Sequence, residues 1–428
     1  MHEPERPGSP VRAIDGFGGA WYGRKLGIRN DGKAATLSRA TRRNPEVHVT
    51  SPHFIEEHDM LRTQVRRFVD EVVRPNGEAW EETGQIPRAV LRRMGELGFL
   101  GIRHAVEYGG SGADALSSVI LAEELAHSSF GGFTVTVLVH TDMASPHLAG
   151  SGTEEQKRRY LPGIVSGEIL TAVAVTEPDA GSDVAAMRTT ARRDGDHWVL
   201  NGSKMFITNG VSADVVFVAA KTDPSAKGSR GISMFIVERG TAGFSVGRKL
   251  EKQGWRSSDT AELVFEDCRI AAANLLGEQN RGFYSIMRNF QNERLALSGM
   301  AVGEATEALR LTVEYVKNRK AFGAPLWHKQ AIRQRLAMLE AKVEAARQLL
   351  YHAAWRMSRG MDAVREVSML KAVSGELVNE VMYTCQQFHG GFGYIQESTI
   401  ERMVRDARVL SIGGGATEVM LEEVAKRS

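Results

Sequence analysis

The sequence predicts an α+β protein of several domains: an N-terminal helical domain, a middle antiparallel β-barrel and a C-terminal four-helix bundle. Two changes in pattern predict this order. Apolar residues recur at three- and four-residue steps from about residue 54, and short β-branched and aromatic runs with glycines replace them from about residue 168. Beyond Gly282 the helical period returns and continues to the end. The expected bounds are an extension over 1–51, then domains over 52–167, 168–275 and 276–428.

The first 51 residues differ from the rest in charge and pattern. Basic residues outnumber acidic ones there, glycines are frequent and no apolar period is sustained, so we expect a disordered extension. Its basic bias suits a transit peptide, but its acidic residues and the lack of an amphipathic stripe do not. An upstream start codon chosen in error is the alternative. We therefore expect a cytoplasmic bacterial protein, or one of the mitochondrial matrix if the extension is a transit peptide.

Composition excludes several classes of function. The 428 residues carry 54 basic and 52 acidic side chains, a formal net charge of +2, so no nucleic-acid partner is indicated. No apolar run approaches the roughly 18 residues of a membrane span. Cys268 and Cys385 lie far apart and form no ligand cluster, which predicts no metal site.

Helical spacing begins with Phe54, Leu61, Val65 and Phe68, and the segments 116–126, 133–148 and 154–165 indicate further helices. In the middle unit, Asp194-Gly195 predicts a hairpin turn, because that turn needs positive φ. Apolar runs near 215–221, 232–238 and 261–265 predict strands of a barrel or sandwich. Long helices are expected over 282–318, 328–359 and 363–388.

Glu293 interrupts the apolar stripe of the first long C-terminal helix. Ile286, Phe290, Leu297 and Met300 define that stripe, and position 293 falls in phase with it. An acid at an interior position costs several kcal/mol unless a partner or a raised pKa compensates, and such acids are candidate bases. A solvated or ion-paired glutamate is the competing interpretation.

Two polar loops in the β unit carry the most specific signal. Nucleotide-binding glycine motifs of the Rossmann and P-loop kinds are lacking. Each loop combines glycines with hydroxyl donors. The loops are Val175-Thr176-Glu177-Pro178-Asp179-Ala180-Gly181-Ser182-Asp183 and Asn201-Gly202-Ser203-Lys204-Met205-Phe206-Ile207-Thr208-Asn209-Gly210. These loops resemble the two signatures of the acyl-CoA dehydrogenase family. The resemblance continues through Asn318-Arg319-Lys320-Ala321-Phe322-Gly323, Gln387-Phe388-His389-Gly390-Gly391 and Arg405-Asp406-Ala407.

The resemblance implies the acyl-CoA dehydrogenase fold and an FAD enzyme that oxidises the Cα–Cβ bond of an acyl-CoA to a trans-2-enoyl-CoA. A carboxylate takes the α-proton and flavin N5 takes the β-hydride. It further implies that the cofactor contacts Val175, Thr176, Phe206, Ile207 and Thr208 at the ring, and Arg319, Phe322, Gln330, Gln387, Gly390, Gly391, Ala416 and Glu418 elsewhere. The pyrophosphate and adenosine contacts are expected to cross a subunit boundary. Ser182, Gln291, Arg294 and Gly413 are implied substrate contacts.

The sequence departs from the commonest family pattern at the base. Many members carry it as the glutamate of a Tyr-Glu-Gly-Thr segment, and the corresponding position here is Gly414. Three explanations compete: the protein is a non-catalytic acyl-CoA or FAD-binding scaffold, Glu418 has taken over, or another element supplies the base. Isovaleryl- and long-chain acyl-CoA dehydrogenases are similar in placing their base immediately before an arginine, as in Glu293-Arg294. Gly414 then keeps a backbone N–H for the thioester oxygen.

The resemblance also implies partners. An acyl-CoA is the expected substrate, an electron-transferring flavoprotein the expected electron acceptor and a homotetramer the expected assembly, while an acyl group on a carrier protein is an alternative substrate. Gly413, Gly414 and Gly415 predict a pocket wide enough for branched or bulky acyl chains, unless backbone conformation alone requires them.

Overall fold

The computed structural model describes residues 51–226 and 228–428, so the predicted extension lies outside the described residues except for Ser51. The predicted order of a helical domain, a sheet domain and a second helical domain is confirmed. None of the helices in these ranges is both long and apolar enough to cross a bilayer.

Seven α-helices precede the sheet in the part of the chain that the structure describes. They are α1 Glu56–Phe68, α2 Arg74–Thr83, α3 Arg88–Glu96, α4 Ala115–Ala126, α5 Gly131–Leu138, α6 Ser145–Ser151 and α7 Glu154–Ser166. Single π-helical turns, Val69–Val73 and Val139–Ala144, continue α1 into α2 and α5 into α6. α4 is buried along its whole length and begins at Asp114, whose carboxylate accepts the Ser117 N–H at 3.0 Å. The helical domain therefore has α4 as its interior helix.

The middle domain is one sheet. Its strands are β1 Thr171–Ala174, β2 Thr190–Asp194, β3 His197–Thr208, β4 Val215–Lys221, β5 Ile232–Glu238, β6 Phe244–Lys249, β7 Thr260–Ala271 and β8 Leu275–Leu276. The strand order is β6-β7-β3-β2-β4-β5-β8, with β1 also paired to β4. Residues 194 and 197 pair across the predicted Asp194-Gly195 hairpin turn.

The predicted antiparallel, closed barrel needs correction in two respects. β1 and β2 run parallel to β4, so the sheet is mixed. β6 and β8 end the strand order and do not pair with each other in the described ranges, so the sheet is open. Alternation of apolar residues fixes which face a side chain takes but not which strands meet, and it therefore could not distinguish these arrangements.

The apolar residues of β4 and β5 are buried on both faces, which explains their unbroken apolar runs. One face, with Phe217 and Ile236, packs against α7 and the start of the next long helix. The other, with Val218 and Phe235, packs against β3 and β7. The sheet is thus covered by helices on the side where the C-terminal domain begins.

Five helices follow the sheet: α8 Gly282–Asn318, α9 Gln330–Ser358, α10 Val364–His389, α11 Thr399–Ala407 and α12 Thr417–Ala425. A short hairpin, β9 Lys320–Ala321 and β10 Ala324–Pro325, joins α8 to α9. The three long helices match the predicted ranges within two residues and pack on one another, and α4 also packs on α8 and α9. Gly299 and Gly303 permit this approach, because a Cβ at Gly303 would lie 2.4 Å from the Glu123 carbonyl oxygen.

Candidate active site

Glu293 lies where α8 leaves the sheet. The preceding turns of α8 pack on the sheet through Ile286 and Phe290, and the following turns are buried through Leu297 and Met300. Glu293 itself is half-buried, and no hydrogen bond reaches its carboxylate from the described part of the chain. The helical period therefore brings an unbonded carboxylate to the inner face of the helix, as the apolar stripe predicts.

Gly414 meets Glu293 in space although 121 positions separate them. A Cβ at Gly414 would lie 3.3 Å from the Glu293 Oε1 and 2.3 Å from the Leu297 Cδ1. Gly414 also has φ of +64°, which L side chains rarely adopt. The carboxylate of Glu293 thus lies beside the position where a side chain at 414 would begin.

The neighbouring glycines are not equivalent. A Cβ at Gly415, where φ is +111°, would lie 2.9 Å from Met420 Cε and 3.4 Å from Arg294 Nε. At Gly413 the nearest atom would be the Val409 Cγ2 at 3.6 Å, an ordinary contact. The expected widening is therefore confined to position 413, because neighbouring side chains already fill the space beside 414 and 415.

Burial raises the pKa of Glu293 to about 7, and the charges of Arg294 and Lys371 only partly oppose this rise. Burial likewise lowers the pKa of Lys371 to about 8, against the attraction of Glu293. A carboxyl group of this kind exchanges its proton near neutral pH, as a general base must.

Arg294 and Gln291 flank Glu293 on α8. Arg294 is buried, its guanidinium lies 5.4 Å from the centre of the Phe290 ring, and its Nε finds no hydrogen-bond partner within 51–226 and 228–428. Burial lowers the pKa of Arg294, while Glu293 and Glu423 raise it. The Gln291 Oε1 is buried without a donor among the same residues. Both side chains thus offer polar atoms with unused bonding capacity.

Lys371 was missed by sequence reasoning. It lies on α10, is only 2% exposed, and its Nζ donates to the carbonyl oxygens of Leu410 at 2.8 Å and Gly415 at 3.0 Å. The signal was present in the sequence, since Val367, Leu370 and Val378 define a buried stripe in which position 371 falls in phase.

The residues implied for the flavin ring come together at β1 and β3. The Met205 N–H donates to the Thr176 carbonyl at 2.9 Å, which joins the loop after β1 to β3. Phe206 is 66% exposed at an irregularity of β3 and has φ of +61°, while Ile207 is buried and Thr208 is half-buried. Val175 and Thr176 are half-buried. An exposed aromatic ring held in a strained conformation suits a planar ligand.

A buried ion pair, also missed from the sequence, holds these two segments. The Lys204 Nζ lies 2.7 Å from the Glu177 Oε1 and donates to the Val175 carbonyl at 3.1 Å. Glu177 further accepts the backbone N–H of Thr189 at 3.0 Å. Both residues stand inside the two loops that carry the family signal, so the motifs contained them without showing their structural part.

The residues implied for the other end of the cofactor lie at the far end of the bundle. They surround the C-terminal end of α8, the start of α9 and the C-terminal end of α10: Arg319, Phe322, Gln330, Gln387, Gly390 and Gly391, all exposed. Tyr315 stacks on His389 with ring centroids 4.2 Å apart, which joins two of these segments. A Cβ at Gly390 or Gly391 would meet no atom within 4 Å, so ligand has room to approach the backbone.

The remaining predicted residues lie outside both groups. Ser182 is exposed in the loop after β1, Ala416 caps the start of α12, and Glu418 is exposed in the first turn of that helix. The contacts of a Cβ at Gly414 include Glu293 and Leu297 but not Glu418. No group of acidic, histidine or cysteine side chains within the described ranges could hold a metal ion.

Family models match three successive segments of the chain: acyl-CoA dehydrogenase, N-terminal domain, over 55–168, the middle domain over 172–268 and the C-terminal domain over 280–428. The long-chain specific acyl-CoA dehydrogenase of Mus musculus is 42% identical over 380 residues, 87% of each chain. The isovaleryl-CoA dehydrogenase of Pongo abelii is 39% identical over 367 residues, 85% of this chain and 86% of that one. The crystal structure of an acyl-CoA dehydrogenase from Geobacillus kaustophilus is similar with a TM-score of 0.85 and 43% identity, covering 88% of this chain and 99% of the other.

Proposed function

This chain belongs to the acyl-CoA dehydrogenase family, and we propose that it oxidises the Cα–Cβ bond of an acyl-CoA to a trans-2-enoyl-CoA with Glu293 as the base. It is an FAD-dependent oxidoreductase that acts on acyl-CoA. The observation that supports Glu293 is its half-buried, unbonded carboxylate beside the Cβ position of Gly414. Glu293 on α8 thereby places a carboxylate beside position 414, where many family members carry the base.

Glu293 can accept the α-proton because burial keeps its pKa close to neutral. With a pKa of about 7 its carboxylate is largely ionised in slightly alkaline solution and remains a stronger base than an exposed glutamate. No hydrogen bond has to be broken before it takes a proton, since none reaches it from the described residues. The side chain is therefore prepared for abstraction without rearrangement.

Gly414 has two roles in this proposal. Its lack of a side chain leaves space for the Glu293 carboxylate and Leu297. Its backbone N–H acts on the thioester carbonyl oxygen, where a donor stabilises the negative charge that develops when the α-proton leaves. Glu418, exposed in the first turn of α12, is not needed as a base.

The residues at β1 and β3 fit the isoalloxazine ring of FAD. Val175 and Thr176 are assigned to its pyrimidine end, the exposed Phe206 to its face with Ile207 beneath, and Thr208 to N5. When bound, FAD supplies the acceptor for the β-hydride. The Lys204–Glu177 pair keeps both segments in place.

The second cofactor group serves the FAD of another subunit. From Glu293 to Arg319 the rise along α8 is about 39 Å, at about 1.5 Å per residue. Because most of α8 separates the proposed base from the second cofactor group, we assign that group to the FAD of another subunit. The residues assigned to pyrophosphate and adenosine across the boundary are Arg319, Phe322, Gln330, Gln387, Gly390 and Gly391. Ala416 and Glu418, two and four residues after Gly414, are kept as proposed cofactor contacts outside this group.

This arrangement requires an oligomer, for which we propose a homotetramer. Large apolar side chains are exposed on the C-terminal helices and near the cofactor group: Phe322, Met338, Val373, Tyr383, Tyr394, Ile395 and Leu421. Such exposure supports an interface between copies of the chain. A mass measurement in solution near four times 46.9 kDa is expected.

Substrate contacts are assigned to Ser182, Gln291, Arg294 and Gly413. The buried, donor-free Gln291 Oε1 is an acceptor for an amide N–H of the substrate, and the open side of Gly413 accommodates a branched or bulky acyl group.

An electron-transferring flavoprotein is the proposed acceptor of the electrons. The proposed location is the cytoplasm of a bacterium or a mitochondrial matrix, and the proposed domain bounds are 52–167, 168–275 and 276–428.

An anaerobic titration tests the proposed reaction. Purified protein with bound flavin is mixed with straight-chain, branched and aryl acyl-CoAs, and the flavin absorbance is followed. We expect at least one thioester to bleach the flavin and to yield its 2-enoyl-CoA. Flavin that stays oxidised with every thioester would favour the non-catalytic scaffold.

A further inference from the structure

Lys371 forms hydrogen bonds to the backbone around Gly413, Gly414 and Gly415, the glycine loop beside the proposed base. Its ammonium group donates to Leu410 O at 2.8 Å and to Gly415 O at 3.0 Å, the carbonyls on either side of Gly413 and Gly414. The side chain is 2% exposed, so these bonds are formed away from water. The two carbonyls it joins therefore fix the span of backbone that contains the Gly414 N–H.

Gly375 holds the same loop one turn further along α10. A Cβ at Gly375 would lie 2.8 Å from Leu410 O and 3.1 Å from Ser411 Cα, so only a glycine lets the helix backbone approach this closely. Residues four apart on a helix share a face. Lys371 and Gly375 thus form one contact surface on α10 for the Leu410–Gly415 segment.

The ammonium group of Lys371 also acts on Glu293. Its charge favours the ionised carboxylate, as does that of Arg294 on the same helix as Glu293. The other charged groups near these cations are Glu376 beside Lys371 on α10, and Glu423 and Arg427 of the α12 region beside Arg294. Within this group Lys371 is the only side chain that both bonds the glycine loop and interacts with Glu293.

We propose that Lys371 is a positioning residue for the dehydrogenation, which sets the Gly414 N–H against the thioester oxygen through its two bonds to the loop. The proposal rests on the proposed role of Glu293. Lys371 touches no reacting atom, so its effect is transmitted through the loop and through its charge. A buried lysine that only stabilised the fold would affect neither the alignment of Gly414 nor the ionisation of Glu293.

The test compares Lys371→Met with Gly375→Ala in flavin-loaded protein, by stopped-flow reduction with an acyl-CoA that bleaches the wild type. Lys371→Met removes both bonds and the charge, so we expect reduction at least about tenfold slower at saturation, KM changed little, and the acid limb of the pH profile moved up by about half a unit or more. Gly375→Ala displaces the loop, including the Leu410 carbonyl, but keeps the charge of Lys371, so we expect slower reduction with an unmoved acid limb.

Two further variants make the result decisive. Lys249→Met is the control, because Lys249 also donates to a backbone carbonyl, that of Gly84, but lies exposed on β6; wild-type kinetics are expected. Lys371→Arg keeps the charge and should restore the acid limb.

If Lys371→Met retains the wild-type rate and acid limb per bound flavin, or loses only thermal stability, the positioning role is wrong. If Lys371→Met yields no flavin-bound protein, the Gly375→Ala and Lys371→Arg results decide in the same way. Failure of the base itself is detected separately, by a Glu293→Gln variant that is still reduced.

Discussion

Glu293 and Glu304 are two acids on the same side of α8, three helical turns apart, and they differ in what surrounds the carboxyl group. Burial raises the pKa of both, to about 7 for Glu293 and well above the usual value for Glu304. Glu293 is half-buried beside the glycine loop and two cations. Glu304 is 2% exposed, lies near the acid Asp406, and neither of its oxygens has a hydrogen-bond partner in the described ranges.

The difference separates a base from a buried acid. A raised pKa is common to both and identifies neither. What distinguishes Glu293 is its partial exposure beside the glycine loop and nearby positive charge that favours the ionised form. For Glu304, burial and the charge of Asp406 both raise the pKa, so the protonated form is favoured.

The largest expected difference between the two acids is in catalysis. Glu293→Gln should lower the rate of flavin reduction by acyl-CoA about 10³-fold or more while flavin stays bound, because no other base lies beside Gly414 in the described structure. Glu304→Gln should stay within a few-fold of wild type. Stopped-flow absorbance measures both, and equal losses in the two variants would remove the distinction.

A side chain at Gly414 should crowd Glu293 and impair its function. The Cβ of Gly414→Ala would collide with Leu297 Cδ1 and crowd Glu293 Oε1, so we expect about tenfold or greater loss of reduction rate and about 1–3 kcal/mol of destabilisation. Gly195→Ala is the matched control, since Gly195 has a similar φ of +59° but no atom within 4 Å of its Cβ position. It should lose only the backbone contribution, about 1 kcal/mol, with normal kinetics. Equal stability losses in both variants would argue against crowding at 414.

The pH dependence of the second-order rate of reduction should report the free Glu293 carboxylate. Because the ionised form is the base, the rate should fall about tenfold per pH unit below about pH 7 and level off above it. Glu304→Gln should leave this limb in place. An inflection near 4.5, the value of an ordinary glutamate, would mean that burial does not control the reacting group.

The smallest effect is on stability, which both acids make dependent on pH. A folded-state pKa raised above 4.5 costs stability as pH rises, by about 1.4 kcal/mol per unit, until the folded group itself ionises. The stability gained by Glu293→Gln over wild type should therefore grow from about pH 4.5 and level off near pH 7. Glu304→Gln should also gain stability over wild type as pH rises, because burial raises the pKa of Glu304 well above its usual value. Denaturant unfolding between pH 5 and 8.5 measures both gains, and a gain from Glu293→Gln that does not change with pH would contradict the raised pKa of Glu293.

Local pattern predicted the helical parts of this chain well. The long helices follow from apolar period alone, and the same period marked Glu293 as an interior acid, as Ile286 and Leu297 on its stripe confirm. The middle sheet domain was predicted, but the parallel pairing of β1 and β2 with β4 was not, because pairing depends on chain crossings that alternation does not encode.

The site could be predicted only in part, because its members meet through tertiary structure. Nothing in the spacing of residues 293, 371 and 414 indicates that three elements converge; the family resemblance supplied the link between Glu293 and Gly414 but not Lys371. Lys204 and Glu177 belong to the two sequence motifs, yet their ion pair at 2.7 Å depends on how the two loops fold. A hydrogen bond to a backbone carbonyl, such as that of Lys371 to Leu410 O, cannot be predicted from the pattern of side chains along the sequence.

Deuterium exchange at the α-carbon tests the role of Glu293 most directly, because it detects proton abstraction apart from hydride transfer. Wild type, Glu293→Gln and Glu304→Gln, all loaded with flavin, are incubated anaerobically in D₂O with an acyl-CoA that bleaches the wild type, and the recovered thioester is analysed by NMR. We expect deuterium at Cα with wild type and Glu304→Gln and none above background with Glu293→Gln. Exchange by Glu293→Gln at the wild-type rate would contradict the assignment of Glu293 as the base.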